Sequence, residues 1–199
     1  MKKTLIIFSM LLMVLVSQAQ SQMKITKDPD NSTGLFGIIQ ASYIKNYKAS
    51  YRQIEPGSDN TTNLDTKNSN TYSLNMIVGY FILPKRLSLG MGFGLDGYHN
   101  PNANTAPLYG DLRFYLTSGR NIPYLYIDYG YLVKLGVDFH KGQVGRIGLG
   151  YKFFVSKKLC MTADVSFAAK SVSYTNDAVR PRDALNIKGI GFTLGFLLF

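Results

Sequence analysis

Eight ionisable side chains stand where they could act on one another: Asp96, Asp111, Asp128 and Asp164 against Arg113, Arg146, Lys152 and Lys170. Each falls in the small-and-polar phase of a two-residue alternation, so each projects to the same side of its segment. Acids and bases are equal in number. Enclosed together, such a set can carry a proton or an ion along a polar path, or it can neutralise itself and hold its surroundings in place, because buried charges need partners. Counted from the nearest short turn, Asp111, Arg113, Asp128, Lys152 and Asp164 come at similar heights, which predicts one layer. Lys188 is out of phase with the set and is expected at an outer mouth.

Other chemistry is sparse. His99 and His140 are the only histidines, and Cys160 is the only cysteine. Asp96 precedes His99 by three residues and Asp138 precedes His140 by two, yet no serine is paired with either as a nucleophile would be. No Cys/His cluster suggests a metal, and no cofactor is expected. Gly90-x-Gly92-x-Gly94 is not a nucleotide loop, since it lies inside an alternating run with no helix after it.

The elements that must position these residues are strands. In Leu87–Leu95 the odd positions are Leu87, Leu89, Met91, Phe93 and Leu95, and the even ones are Ser88, Gly90, Gly92 and Gly94. The same split recurs in Tyr72–Tyr80, Leu108–Leu116, Leu125–Val133, Ile147–Val155, Leu159–Phe167 and Ile190–Leu198. A further run, about Leu35–Tyr47, alternates too poorly for its faces to be assigned. Each run is close to the ~9–11 residues that a tilted membrane strand needs. The connections run long, short, long, short, long, short, long. The long ones are about Lys48–Asn70, Gly97–Pro107, Lys134–Gln143 and Tyr174–Asn186, and the short ones lie near Leu83–Arg86, Thr117–Pro123 and Ser156–Lys158. Brief periplasmic turns alternating with longer outer loops are the signature of bacterial membrane barrels. The first long connection carries Asn60-Thr61-Thr62-Asn63 and reads as a solvated, mobile loop.

The N-terminus reads as an export signal over residues 1–19. Lys2 and Lys3 precede the apolar run Leu5–Val16, and Ser17-Gln18-Ala19 supplies a cleavage site. That run is too short to cross about 30 Å of hydrocarbon as a helix. Residues 20–34 form a polar periplasmic leader, and residues 35–199 one domain. With no second helix-length apolar run, the mature chain is either soluble or a closed barrel. The formal net charge is +10, but the bases are spread along the chain and the chain is exported, so nucleic acid is not expected as a partner.

The faces decide between a soluble barrel and a membrane barrel. The polar phase is rich in Gly and Ser. Glycine weakens a solvent-facing strand, but inside a narrow barrel small residues make room for large neighbours. The large apolar face therefore meets lipid. The fold class is all-β: an eight-stranded antiparallel up-and-down transmembrane β-barrel. Its lumen would hold the charge set as a structural network, since a barrel of that size is just wide enough for its own side chains.

Strand number, loop alternation, the Gly-x-Gly-x strands and the terminal aromatic Phe199 make the chain resemble the small outer-membrane barrels grouped around OmpA, OmpX and OmpW. The resemblance spans the mature chain. It implies a place in the outer membrane of a Gram-negative cell, with outer-membrane lipids and the outer-membrane assembly machinery as partners, and Phe199 as the C-terminal assembly signal. One departure stands out. Stepping back by twos from Phe199 gives Leu197, Gly195, Thr193 and Gly191, while the apolar phase ends at Leu198, so a bulge near the terminus is needed to bring Phe199 into that phase. Members of the group include envelope anchors, adhesins, small channels and lipid A-modifying enzymes, so the fold selects no function. A structural or binding role at the envelope is the leading expectation, ahead of a narrow channel. A lipid A hydrolase comes last: His99 is followed by Asn100-Pro101-Asn102, not by the His-x-Ser-Asn of the deacylases.

Overall fold

The computed structural model describes residues 32–55, 58–100, 103–119, 121–136, 139–156, 159–174 and 183–199. The export signal, the cleavage site, most of the leader and Asp138 lie outside the described residues. The strands are β1 (Gly34–Glu55), β2 (Ser58–Leu64), β3 (Asn70–Leu83), β4 (Leu87–His99), β5 (Ala103–Tyr115), β6 (Ile122–Val133), β7 (Lys141–Phe154), β8 (Leu159–Tyr174) and β9 (Asp183–Leu198). All neighbours in the barrel wall are antiparallel, and β1 pairs with both β3 and β9, which closes eight strands into a barrel. Closure removes every unpaired edge, so the backbone satisfies itself in lipid.

The alternation places side chains as its phases require. Val78, Met91 and Phe167 are 63%, 68% and 60% exposed on the outer face, while Asp111, Arg113 and Lys152 are at most 1% exposed. An apolar exterior over a polar interior is the arrangement of a barrel in lipid. In β1, where the faces could not be assigned, the even positions from Phe36 to Asn46 turn inward. A register shift between Asn46 and Lys48 then reverses the parity, so that Ala49 and Tyr51 lie opposite the inward Ile187 and Leu185. One bulged residue breaks a period-two pattern, and this one sits within the run where the pattern fails.

The rows of paired residues climb around the wall. The row leaving β1 at Ile38 passes through Ile77, Gly92, Tyr109, Gly130, Val144, Lys170 and Ile187 and re-enters β1 at Ala49. Strands inclined at about 35–45° to the barrel axis require this stagger.

The outer half departs from expectation. The strands run on past the membrane, so three of the long connections shrink: β4 reaches His99, β8 reaches Tyr174 and β9 begins at Asp183. The first connection is not a solvated loop. β1 continues to Glu55 and pairs with β2, a ninth strand, from Ala49↔Leu64 to Glu55↔Ser58. The projecting hairpin carries a bidentate Arg52–Asp59 pair. β-Branched and aromatic residues near Tyr51 favour the extended form over a coil. Pro107, expected in a connection, lies inside β5. It has no N–H to give, and the β4–β5 ladder skips from Phe93↔Leu108 to Asp96↔Thr105 around it.

The periplasmic end also departs. Ser32, within the leader, is fully buried; Lys85 donates its backbone N–H to the Ser32 carbonyl at 2.8 Å. No bulge occurs near the C-terminus, because β9 stays in register with β8 through to Leu159↔Leu198. Phe199 therefore remains in the inward phase.

Candidate functional site

All eight charges assigned from the sequence are buried in the lumen. They do not form one layer. Strand stagger spreads them over four tiers, each a cation set on one or more aromatic faces.

At the periplasmic mouth, Lys152 Nζ donates to Ser32 Oγ at 2.5 Å and lies 5.0 Å, 4.9 Å and 5.8 Å from the ring centroids of Tyr115, Phe154 and Phe199. Phe199 stacks on Phe154 at 5.7 Å and meets Phe81 at 6.0 Å, so the terminal ring helps floor the barrel. One tier higher, Arg113 Nε donates to both oxygens of Asp111 at 3.0 Å, and a second guanidinium nitrogen reaches Gln40 Oε1 at 3.4 Å. Its guanidinium lies 5.3 Å and 5.5 Å from the ring centroids of Tyr124 and Tyr126, whose hydroxyls donate to Asp164 at 3.1 Å and 2.8 Å. Above these, Arg146 pairs with Asp128 at 2.9 Å and lies over the Tyr109 ring at 4.7 Å. Asp128 is also the register partner of Asp111, so two carboxylates adjoin with a guanidinium beyond each. At the outer tier, Lys170 Nζ donates to Asp96 Oδ2 at 2.5 Å, Thr105 donates to the same oxygen at 2.9 Å, and Tyr98 lies 5.0 Å below the ammonium.

The inward tyrosines Tyr98, Tyr109, Tyr115, Tyr124 and Tyr126 are the members that sequence reasoning missed. Their signal was register. Tyr109 is paired with Gly92, Tyr126 with Gly148 and Tyr124 with Gly150. A Cβ on those glycines would come within 2.3 Å, 2.4 Å and 2.4 Å of the facing ring. Each large ring thus lies across the strand position that has no side chain, which is how a narrow lumen is packed without voids. Gly148→Ala is expected to cost about 1–3 kcal/mol by overpacking, because its Cβ also meets the Val165 carbonyl at 2.8 Å. Gly145→Ala on the same strand, with nothing nearer than 3.9 Å, should stay within about 0.5 kcal/mol. Urea unfolding of the two variants in lipid vesicles checks the contrast.

The enzyme reading gains no constellation. His99 is exposed, and His140 packs on the Tyr174 ring at 4.4 Å. Asp96, the acid nearest His99 in sequence, turns inward and is committed to Lys170 and Thr105. Among the described residues no three His, Cys, Asp or Glu side chains gather as a metal site.

No family model matches the chain, and no curated protein matches it either. Solved structures do. The outer membrane protein OprG from Pseudomonas aeruginosa superposes with a TM-score of 0.51 at 11% identity, over 84% of this chain and 96% of that one. The outer membrane protein AlkL matches over 87% of this chain and 93% of that one, at 14% identity and a TM-score of 0.49. Neisserial surface protein A matches over 81% and 96%, at 13% identity and a TM-score of 0.45. The match to OprG shows a shared fold, that of a small outer-membrane β-barrel.

Proposed function

We propose that this chain, which has the fold of the small outer-membrane β-barrels, is an integral outer-membrane protein with a sealed bore that acts through its surfaces, in a structural or binding role at the cell envelope. The single observation that carries this reading is the filling of the lumen. Four tiers of paired charge and aromatic ring succeed one another from Ser32 and Lys152 to Lys170. The void beside Ile44, Asn46, Thr71, Tyr98 and Lys170 measures about 10 Å³, room for one water at most. A filter that conducts needs ion sites weak enough to leave, whereas here each carboxylate is held by a cation or by two hydroxyls at hydrogen-bond distance.

The test is single-channel recording of the folded protein in planar bilayers. Insertion without resolvable conductance steps is the expected result; a reproducible open-channel current would overturn the sealed bore and favour the narrow channel. Two further roles belong to the same reading. The export signal at residues 1–19 delivers the chain, and Phe199 marks its end for the assembly machinery before folding turns the ring beneath Lys152.

A further inference from the structure

The outer face of the barrel carries a like-charge contact that lacks an internal explanation. The bulge in β1 brings Lys48 opposite Lys188, its register partner on β9. Both are exposed. Like charges directly opposite one another on a sheet are destabilising. They begin a row that continues through Ala169, Gly145 and Tyr129. Side chains in the middle of this row are minimal, and a groove of about 530 Å³ runs along it. The row beneath is apolar, from Ile190 through Phe167 and Ile147 to Ile127. The row above is polar, from Ser50 through Asn186 and Ser171 to Gln143. The groove therefore lies along the upper border of the lipid-facing band. Since the rows climb from β1 through β3 round to β9, this one descends from the lysines toward Tyr129. No carboxylate is among the groove's described lining residues.

We propose that this groove holds one phosphorylated lipid of the outer leaflet, its phosphate on Lys48 and Lys188 and an acyl chain laid along Ala169 and Gly145. The proposal rests on the membrane reading above. The phosphate sits between two ammonium groups that otherwise repel, so a single ligand removes the cost of the Lys48–Lys188 contact. Charge-assisted hydrogen bonds to phosphate are the strong kind. The descending channel of small residues gives one acyl chain a track where neighbouring outward positions carry bulky side chains.

The experiment uses the full mature chain, folded in detergent, with native mass spectrometry against three probes: diphosphorylated lipid A, the same lipid without its phosphates, and inorganic phosphate. Wild type should retain one diphosphorylated lipid and neither of the other probes. Lys48→Gln with Lys188→Gln should lower retention by roughly tenfold or more, as loss of two charged contacts implies. Ala169→Phe, which fills the track and leaves both charges, should lower it as well. Heat-modifiable migration on gels reports barrel closure separately in each variant. Closed barrels that retain the three probes alike, or variants that retain lipid as wild type does, would overturn the lipid site while leaving the barrel reading intact. Retention of inorganic phosphate alone would replace the lipid with a soluble anion. Migration unchanged by boiling in the wild type would instead overturn the membrane reading and this proposal with it.

Discussion

Arg113→Met is expected to destabilise the barrel by about 3–5 kcal/mol, the cost of leaving an uncompensated charge in a dry interior. Asp111 is fully buried and receives both of its short contacts from Arg113 Nε. Methionine fills much of the volume but returns no donor. It also removes the cation from over Tyr124 and Tyr126, which orient Asp164. The adjacent register partner is Asp128, so the unpaired Asp111 carboxylate would face a second acid. Adding Asp111→Asn removes the orphaned charge. The double variant should recover most of the loss, since replacing both members of a buried pair is far milder than breaking it. Equilibrium urea unfolding in vesicles gives the three free energies, and the double-mutant cycle isolates the coupling. A loss below about 1 kcal/mol for Arg113→Met would mean that Asp111 is solvated, as an exposed pair is. The lumen would then be wet, contrary to the sealed bore.

The membrane half of the molecule was legible because a wall one residue thick, with lipid outside and packed side chains inside, forces a strict period of two. Leu87–Leu95 shows it without exception, and the face of every charge in the lumen followed from parity alone. What parity cannot give is height. Tier assignment depends on the stagger that returns the row from Ile38 to Ala49, which is a property of closure and not of any one strand. Asp111 and Lys152, counted to similar heights from their turns, end in different tiers for that reason. Tyr109 and Tyr126 were visible in the inward phase, but their pairing across Gly92 and Gly148 needed the register. The outer half was less legible for a different cause. Above the hydrocarbon no solvent contrast enforces alternation, so the Ser58–Leu64 strand, exposed at every position, carries no periodic signal. The bulge at Asn46–Lys48 hid the faces of β1 and, with them, the meeting of Lys48 and Lys188.

Leu194→Arg is expected to cost about 2–4 kcal/mol, the penalty for a guanidinium on the lipid face near the bilayer midplane. Leu194 is half exposed on β9, midway between Lys188 at the outer border and Leu198 at the inner one. The same substitution at Leu198, in the same phase but at the periplasmic border, should cost only about 0–1 kcal/mol, because the side chain can reach headgroups. Thr193→Arg enters the lumen instead. Thr193 is buried, donates to Ser42 Oγ at 3.0 Å and pairs in register with Asp164. An arginine there gains a carboxylate neighbour and loses space, so its cost is set by packing and does not change with acyl-chain length. The two substitutions at adjacent positions thus separate by their response to the bilayer. Unfolding in short-chain and long-chain vesicles should shift the Leu194→Arg penalty, which rises as the charge is held further from water, and leave the Thr193→Arg penalty in place. Penalties that moved together would place both side chains on one surface, which a closed strand with alternating faces does not allow.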